Sequence, residues 1–355
     1  MSQNPCFRLG VEASGKLQDC WTRRGPLSAL LLPLAVVFGL SVALRRALYA
    51  FGILRSQELP VPVVVVGSIT VGGSGKTPLV LWLAQQFQQR GWHPGIISRG
   101  HGGALQRRQV KEVLPDSRAR EIGDEPLLLK RRSKLPVFVG RDRVAVARAL
   151  LARYPDCDLL LSDDGLQHYR LARSAEIAVV DTRGLMNGRL LPAGPLRESP
   201  RRLLQVDALV LNGLAEFPTG GVARFNMELR GATFHALDDP ARTRAASALK
   251  ESKLAAVAGT GVPQRFFDHL TGLGLEFSAH PFPDHHRYMA GDLSSIQADA
   301  FLMTEKDAVK CAGLTDRPVW VLPVTATVTA ARAGSDLVTH VEQRILEKPD
   351  GRPPA

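Results

Sequence analysis

One stretch constrains the fold of this 355-residue chain more than any other: Pro62-Val63-Val64-Val65-Val66-Gly67-Ser68-Ile69-Thr70-Val71-Gly72-Gly73-Ser74-Gly75-Lys76-Thr77-Pro78. A β-branched run passes into a glycine-rich turn, a Lys-Thr pair and a helical pattern. That is the order strand, phosphate-cradling loop, helix. Glycines let backbone N–H groups turn inward around phosphate oxygens, a lysine reaches the β- and γ-phosphates, and a hydroxyl ligates Mg²⁺. The cradle here is Thr70, Val71, Gly72, Gly73, Ser74 and Gly75, with Lys76 as the charge and Thr77 as the hydroxyl. Pro78 suits the first helical turn, where its missing N–H costs nothing. The strict motif has glycine six residues before the lysine, where this chain has Thr70. A glycine-rich turn that binds nothing is the plain alternative, and the flanking strand and helix argue against it.

The run before the loop is unusual. Arg23 and Arg24 precede an uncharged stretch from Pro26 to Leu44, Arg45 and Arg46 follow, and a second apolar run extends from Ala47 to Leu54. No small-residue cleavage site separates the two runs, so a signal peptide is disfavoured. Three readings stay open. The segment spans a bilayer, which needs about 20 apolar residues. It lies in the membrane interface with its arginines on anionic head groups. Or it packs on the protein core. A net charge of +11 points to an anionic partner. Aromatics are only 6%, and no basic-aromatic interleaving of the kind that stacks bases is present, so charge alone carries a nucleic-acid reading. Cys6, Cys20, Cys157 and Cys311 make no CxxC pair and read as free thiols in a reducing compartment.

From Pro60 onward strands alternate with helices: strands at 63–67, 95–98, 159–164, 176–181 and 206–211, helices at 78–90, 125–132 and 143–153. This predicts a mostly parallel α/β sheet. Short alternation over 213–240 reads as a small β linker. A second α/β unit follows, with strands at 253–259, 275–279, 300–303 and 319–322 and helices at 263–273 and 336–346. The expected organisation is a loose tail (1–20), a membrane-associating helix (21–58), a phosphate-loop domain (59–212), the linker (213–240), a smaller α/β domain (241–347) and a disordered end (348–355).

Several acids and bases fall where such sheets bind ligands. Leu159 to Asp164 is an apolar strand delivering Asp163 and Asp164 to its carboxyl end, where paired carboxylates hold Mg²⁺. Gly123-Asp124-Glu125-Pro126 opens a helix, so its acids are either first-turn caps or a proton acceptor for a substrate hydroxyl. Asp284-His285-His286 is a poor zinc set, and His285 facing a carboxylate would make a dyad. Arg197, in the rigid loop Leu191 to Glu198, suits the charge of a transferring phosphoryl group, although taken alone it reads as a surface arginine. Thr304-Glu305-Lys306-Asp307 follows a strand, but its spacing does not match a guanine-reading motif.

Together these motifs resemble the tetraacyldisaccharide 4′-kinase family. The resemblance runs from about Trp21 to Asp336 and includes Pro62–Pro78, Ser98–Gly103, Gly123–Pro126, Asp163–His168, Asn187–Glu198, Pro263–Phe267, Phe282–His286 and Met303–Lys310. Thr70 is what the family shows; Ser68, His101 and Val262 depart from its usual Asn, Tyr and Asn. The resemblance implies a P-loop NTPase-type domain and a second smaller α/β domain, with ATP-Mg²⁺ and the sugar meeting in the cleft. It implies ATP-dependent phosphorylation of the 4′-hydroxyl of a tetraacyl glucosamine disaccharide 1-phosphate, at the cytoplasmic face of the inner membrane and without nucleic acid. Carried over by motif, Lys76 and Thr77 grip phosphate and Mg²⁺, and Asp163, Asp164 and Glu198 stand on the metal side. Asp124 is the base tuned by His285, Arg197 contacts the γ-phosphate, and His168 supports the site. The alternative is a membrane-associated P-loop NTPase switch with no lipid acceptor.

Overall fold

The valine run that leads into the phosphate loop is buried at every position, as a strand covered on both faces requires. The computed structural model describes residues 21–106, 108–214, 216–218, 220–331 and 334–348. The tail at 1–20 with Cys6 and Cys20, and residues 349–355 of the expected disordered end, lie outside the described residues. In chain order, α1 (Pro26–Leu30) and α2 (Leu32–Ala50) precede β1 (Val63–Gly67), α3 (Lys76–Gln89), β2 (Pro94–Ser98), β3 (Val110–Glu112), α4 (Ala119–Ile122), α5 (Asp124–Ser133), β4 (Val137–Gly140), α6 (Arg143–Arg153), β5 (Leu159–Asp163), β6 (Ala175–Asp181), β7 (Ala208–Asn212) and β8 (Ala223–Arg230). There follow β9 (Thr233–Ala236), β10 (Thr243–Ala245), β11 (Leu254–Ala258), α7 (Pro263–Gly272), β12 (Phe277–Pro281), α8 (Ala290–Ser294), β13 (Ala300–Thr304), α9 (Glu305–Cys311), β14 (Val319–Leu322), β15 (Thr325–Ala330) and α10 (Leu337–Glu347).

The chain divides into two compact units, each drawn from several stretches: Met1–Lys76, Asp164–Met227 and Val328–Ala355 in one, Thr77–Asp163 and Glu228–Thr327 in the other. In the first unit β1, β6, β7 and β8 pair in parallel, in that spatial order, with Val66 opposite Ile177, Val179 opposite Val210 and Leu209 opposite Arg224. The phosphate loop leaves the carboxyl end of β1, and Asp181 and Asn212 end β6 and β7 at that same edge, where open parallel sheets bind ligands.

Helix α2 lies on this unit. Ala35, Phe38, Gly39, Val42, Arg46 and Tyr49 are among its less exposed positions, a stripe at helical spacing. Leu32, Leu34, Val36, Val37, Leu40 and Leu44 are exposed, and only 11% of its apolar window is buried. One stripe of α2 thus packs on the protein and the rest of its surface is bare, so the helix is not enclosed by the core. Helix α1 and the residues before it are held by the loop ahead of Arg197: the fully buried Ser28 donates to the Ala193 carbonyl at 2.5 Å, Trp21 Nε1 to Pro192 O at 2.9 Å and Arg24 Nε to Asn187 O at 3.2 Å. At the far end of α2 Tyr49 meets the Tyr169 ring at 5.9 Å, and Gln57 exchanges backbone hydrogen bonds with Arg170 and Ala172.

In the second unit β5, β2 and β4 run parallel, with β3 antiparallel at the edge. A second sheet in the same unit has the order β10-β9-β14-β13-β11-β12, parallel from β14 to β12. Alternate residues of β11 serve its two cores. Leu254, Ala256 and Ala258 pack with Phe266, Phe267 and Leu270 of α7, whereas Ala255 and Val257 pack with Leu293, Ala308 and Cys311 of α8 and α9. Cys157 and Cys311 are free and buried, and burial pushes their thiols up to about 11 and about 12.

Differences from the sequence expectation have local causes. Strands β3 and β10 have no buried-exposed alternation that a pattern could register, and β15 buries only Ala326. Helix α3 starts at Lys76 rather than Pro78, because Lys76 and Thr77 already form its first turn. Of the stretch read as a linker, β8 extends the parallel sheet through β7, and β9 pairs antiparallel with β14.

Candidate active site

Backbone geometry builds the first cluster. Gly72 and Gly75 stand at φ +92° and +93°, and a Cβ there would lie 2.8 Å from the Arg183 guanidinium and 2.4 Å from Asn212 Nδ2. Only glycine meets both demands. Asn212 donates to the Ser74 carbonyl at 3.0 Å, so β7 braces the loop from beside it. The loop's start is held by the arginine segment: Val71 N donates to Pro195 O at 3.0 Å and Arg197 N to Ile69 O at 2.7 Å. Ser68, the family departure, keeps its hydroxyl inside the turn, accepting from Thr70 N at 3.1 Å and sharing a 2.9 Å bond with the Thr70 hydroxyl.

Asp164 gathers the charges. Its oxygens accept from Arg197 Nη1 at 2.9 and 2.8 Å, and Lys76 Nζ stands 3.6 Å away. Lys76, Asp164 and Arg197 therefore form one cluster. Glu198 turns inward, fully buried, accepting from the Tyr169 hydroxyl and from Gln167 Nε2 at 2.9 Å, with Arg202 Nε at 3.7 Å. Gln167 also donates to Ser68 O at 3.2 Å and accepts from Arg197 at 3.4 Å, so Glu198 reaches the cluster through Gln167. The backbone carbonyl of His168 accepts from Arg173.

Asp163 ends β5 almost wholly buried and accepts from Ser98 Oγ at 3.3 Å. Arg143, buried among carbonyls, donates to Gly140 O at 2.8 Å and to Asp163 O at 3.4 Å. Thr77 is buried in the first turn of α3. Among the described residues no group of three or more His, Cys, Asp or Glu is arranged to hold a metal ion. The donors that Thr77, Asp163 and Asp164 offer are hard oxygens. Oxygens of this kind are what a small divalent cation takes alongside waters and nucleotide phosphates.

The second cluster joins Asp124, in the first turn of α5, to His285. His285 Nδ1 lies 3.1 Å from both Asp124 oxygens. Burial alone would raise the Asp124 carboxyl; the His285 hydrogen bond and the ammonium groups of Lys306 and Lys310 outweigh it and hold the group at about 2. Burial works against the charged form of His285 too, yet its bond to Asp124 leaves the imidazole raised. The carboxylate is ionised and aimed by its histidine, so it can orient a hydroxyl and accept its proton as the bond to phosphorus forms, although a carboxyl held this low is by itself a weak base.

The protein-family model described as Tetraacyldisaccharide-1-P 4′-kinase matches residues 27–342. The chain belongs to this family. A tetraacyldisaccharide 4′-kinase from Azoarcus sp. (strain BH72) is 52% identical over 338 residues, covering 94% of this chain and 96% of that protein. The one from Chromobacterium violaceum is 52% identical over 322 residues, covering 88% and 94%. The crystal structure of LpxK from Aquifex aeolicus, described as an apo form in complex with ATP, superposes with a TM-score of 0.74 at 29% identity, over 90% of this chain and 99% of that one.

Membership makes the chain a kinase, and that frames the groups that sequence reasoning misses. Arg143, Arg183 and Asn212 brace the loop and its acids, yet each stands in an unremarkable stretch of sequence. Lys306 lies in Thr304-Glu305-Lys306-Asp307, whose spacing fails as a base reader. Its position after a strand is the usable signal. Its partners, Glu125, Asp284 and His285, come from distant segments.

Proposed function

We propose that the chain transfers the γ-phosphoryl group of ATP to the 4′-hydroxyl of a tetraacyl glucosamine disaccharide 1-phosphate. Phosphoryl transfer asks the protein mainly for positioning and charge. Backbone N–H groups of residues 70–77 hold the phosphates, Lys76 and Arg197 offset charge on the transferring group, and Asp164 holds those two cations in place. Thr77, Asp163 and Asp164 would hold Mg²⁺, which when bound neutralises the phosphate oxygens. Glu198 sits beside this metal side and keeps Gln167 and Arg197 oriented. Asp124 accepts the proton of the attacking hydroxyl while His285 steadies the carboxylate. Lys76, Asp164 and Arg197 belong to one compact unit, and Asp124 and His285 to the other.

The observation that carries this reading is the Asp124–His285 pair. Transfer to an alcohol needs a held, ionised acceptor for the hydroxyl proton, and a nucleotide switch has no such need. The exposed apolar face of α2, flanked by arginines, supports residence at the cytoplasmic face of the inner membrane, lying in the interface rather than across it. Contacts of the segments on both sides of α2 with the protein body support the interfacial reading. Radiolabelled ATP with extracted lipid A precursor is the test. Label on the lipid, with little nucleotide turnover when lipid is withheld, is expected; turnover without lipid and no labelled lipid would establish the switch instead.

A further inference from the structure

Behind the Asp124–His285 pair stands a group with no role so far. Lys306, in the first turn of α9, is only 13% exposed. Its ammonium donates to Glu125 Oε1 at 3.0 Å and to Asp284 Oδ1 at 3.1 Å, and stands 3.4 Å from His285 Nε2. The other ring nitrogen, Nδ1, faces the Asp124 carboxylate at 3.1 Å. A neutral imidazole has one donor nitrogen and one acceptor nitrogen. An ammonium offers only protons, so the nitrogen facing Lys306 must accept. A carboxylate offers only lone pairs, so the nitrogen facing Asp124 must donate. Both neighbours select the tautomer with its proton on Nδ1. The other tautomer sets N–H against N–H at one end and lone pair against lone pair at the other.

We propose that Lys306 is a positioning residue for phosphoryl transfer: by donating to Nε2 it locks His285 as the Nδ1–H tautomer, so that His285 orients Asp124 and Asp124 alone takes the proton. The inference rests on the reading of Asp124 as the base. In the step, the substrate O–H bond breaks and its proton goes to an Asp124 oxygen; the freed electron pair forms the new O–P bond at the γ-phosphorus while the bond from that phosphorus to the β–γ bridging oxygen breaks, its electron pair leaving with ADP. His285 keeps its own Nδ1 proton throughout. Glu125 and Asp284 neutralise Lys306, which is why the ammonium stays charged there. The other groups around the ring are Asp284 Oδ2, 3.8 Å from Nε2, the His101 ring edge-on at 4.9 Å, and Lys310, 3.8 Å from Asp124. Of these only Asp284 competes for a proton on Nε2, and its Oδ1 is already held by Lys306.

The test is ¹⁵N NMR of histidine-labelled full-length protein in detergent, with His285 assigned by its loss in His285→Gln. The tautomer is read at alkaline pH, where the imidazole is neutral although its bond to Asp124 raises it, and the expected pattern there is a protonated Nδ1 and an unprotonated Nε2. In Lys306→Met the two nitrogens should move toward a mixed state and kcat should fall about tenfold or more with ATP affinity retained. The acid limb of kcat should shift to higher pH, because no ammonium then opposes an imidazolium. A neutral ring with its proton on Nε2 in the unaltered protein would overturn the proposal, even if Lys306→Met fails to fold. So would a Lys306→Met enzyme with unaltered acid limb and kcat. Failure of the base reading shows separately, as retained turnover in an Asp124 variant, and leaves the tautomer measurement intact.

Discussion

At the scale of single residues, strain and charge mark the same places. Asp164 and His285 are held at φ +49° and +58°, among only four such non-glycine residues in the described chain. A non-glycine residue there costs on the order of 1–3 kcal/mol and persists only where surroundings over-determine it. Arg197 and Lys76 do that for Asp164, and Asp124 and Lys306 for His285. Asp124→Asn keeps the shape and removes the charge, so kcat should fall by roughly 10²–10⁴ with nucleotide binding retained, read by kinetics alongside an ATP titration. The pH dependence follows from sign. The Asp124 carboxyl lies below its unfolded value, so its stabilisation is complete above about pH 4 and disappears as pH falls through about 2. Thermal melts of the unaltered protein and Asp124→Asn should therefore differ near neutrality and converge in strong acid. The acids were legible in the sequence because each follows a recognisable strand or opens a helix; their partners were not, because hydrogen bonds spanning 161 and 181 residues leave no local pattern.

At the scale of elements, the loop from Asn187 to Arg197 links two parts of the first unit. One side holds α1 through Ser28, which also accepts from Asn187 Nδ2 at 3.2 Å and Arg189 Nη1 at 3.0 Å; the other side pairs with Ile69 and Val71 at the phosphate loop. Ser28→Val deletes the hydroxyl and its hydrogen bonds with Ala193, Asn187 and Arg189, so the cost should be about 1–3 kcal/mol, seen as a lower melting temperature. Because Arg197 rides on the same loop, kcat should fall more than ATP affinity. The helix itself was plain from its uncharged run. That one stripe of it would be docked and the rest bare was not, since an all-apolar run has no polar face to set its rotation.

At the scale of the whole molecule, a net charge of +11 and a bare apolar helix face are the features that support the proposed residence at an anionic membrane surface. Alkaline carbonate should release the full chain from membranes, and vesicles containing anionic lipid should retain it in a way that weakens with salt. Resistance to carbonate would mean that the helix crosses the bilayer. By itself the sequence determined the α/β class, the phosphate loop and the acids at the strand ends. Each is written in short-range terms: β-branched runs, glycines where backbone must turn, a carboxylate at the end of an apolar strand. Only the tertiary structure decided which cations those carboxylates meet, that Glu198 turns inward to Tyr169 while Arg197 turns to Asp164, and that Lys306 stands behind His285. Those choices depend on side chains brought together from separated segments, where burial makes every unpaired charge costly and so dictates the partner.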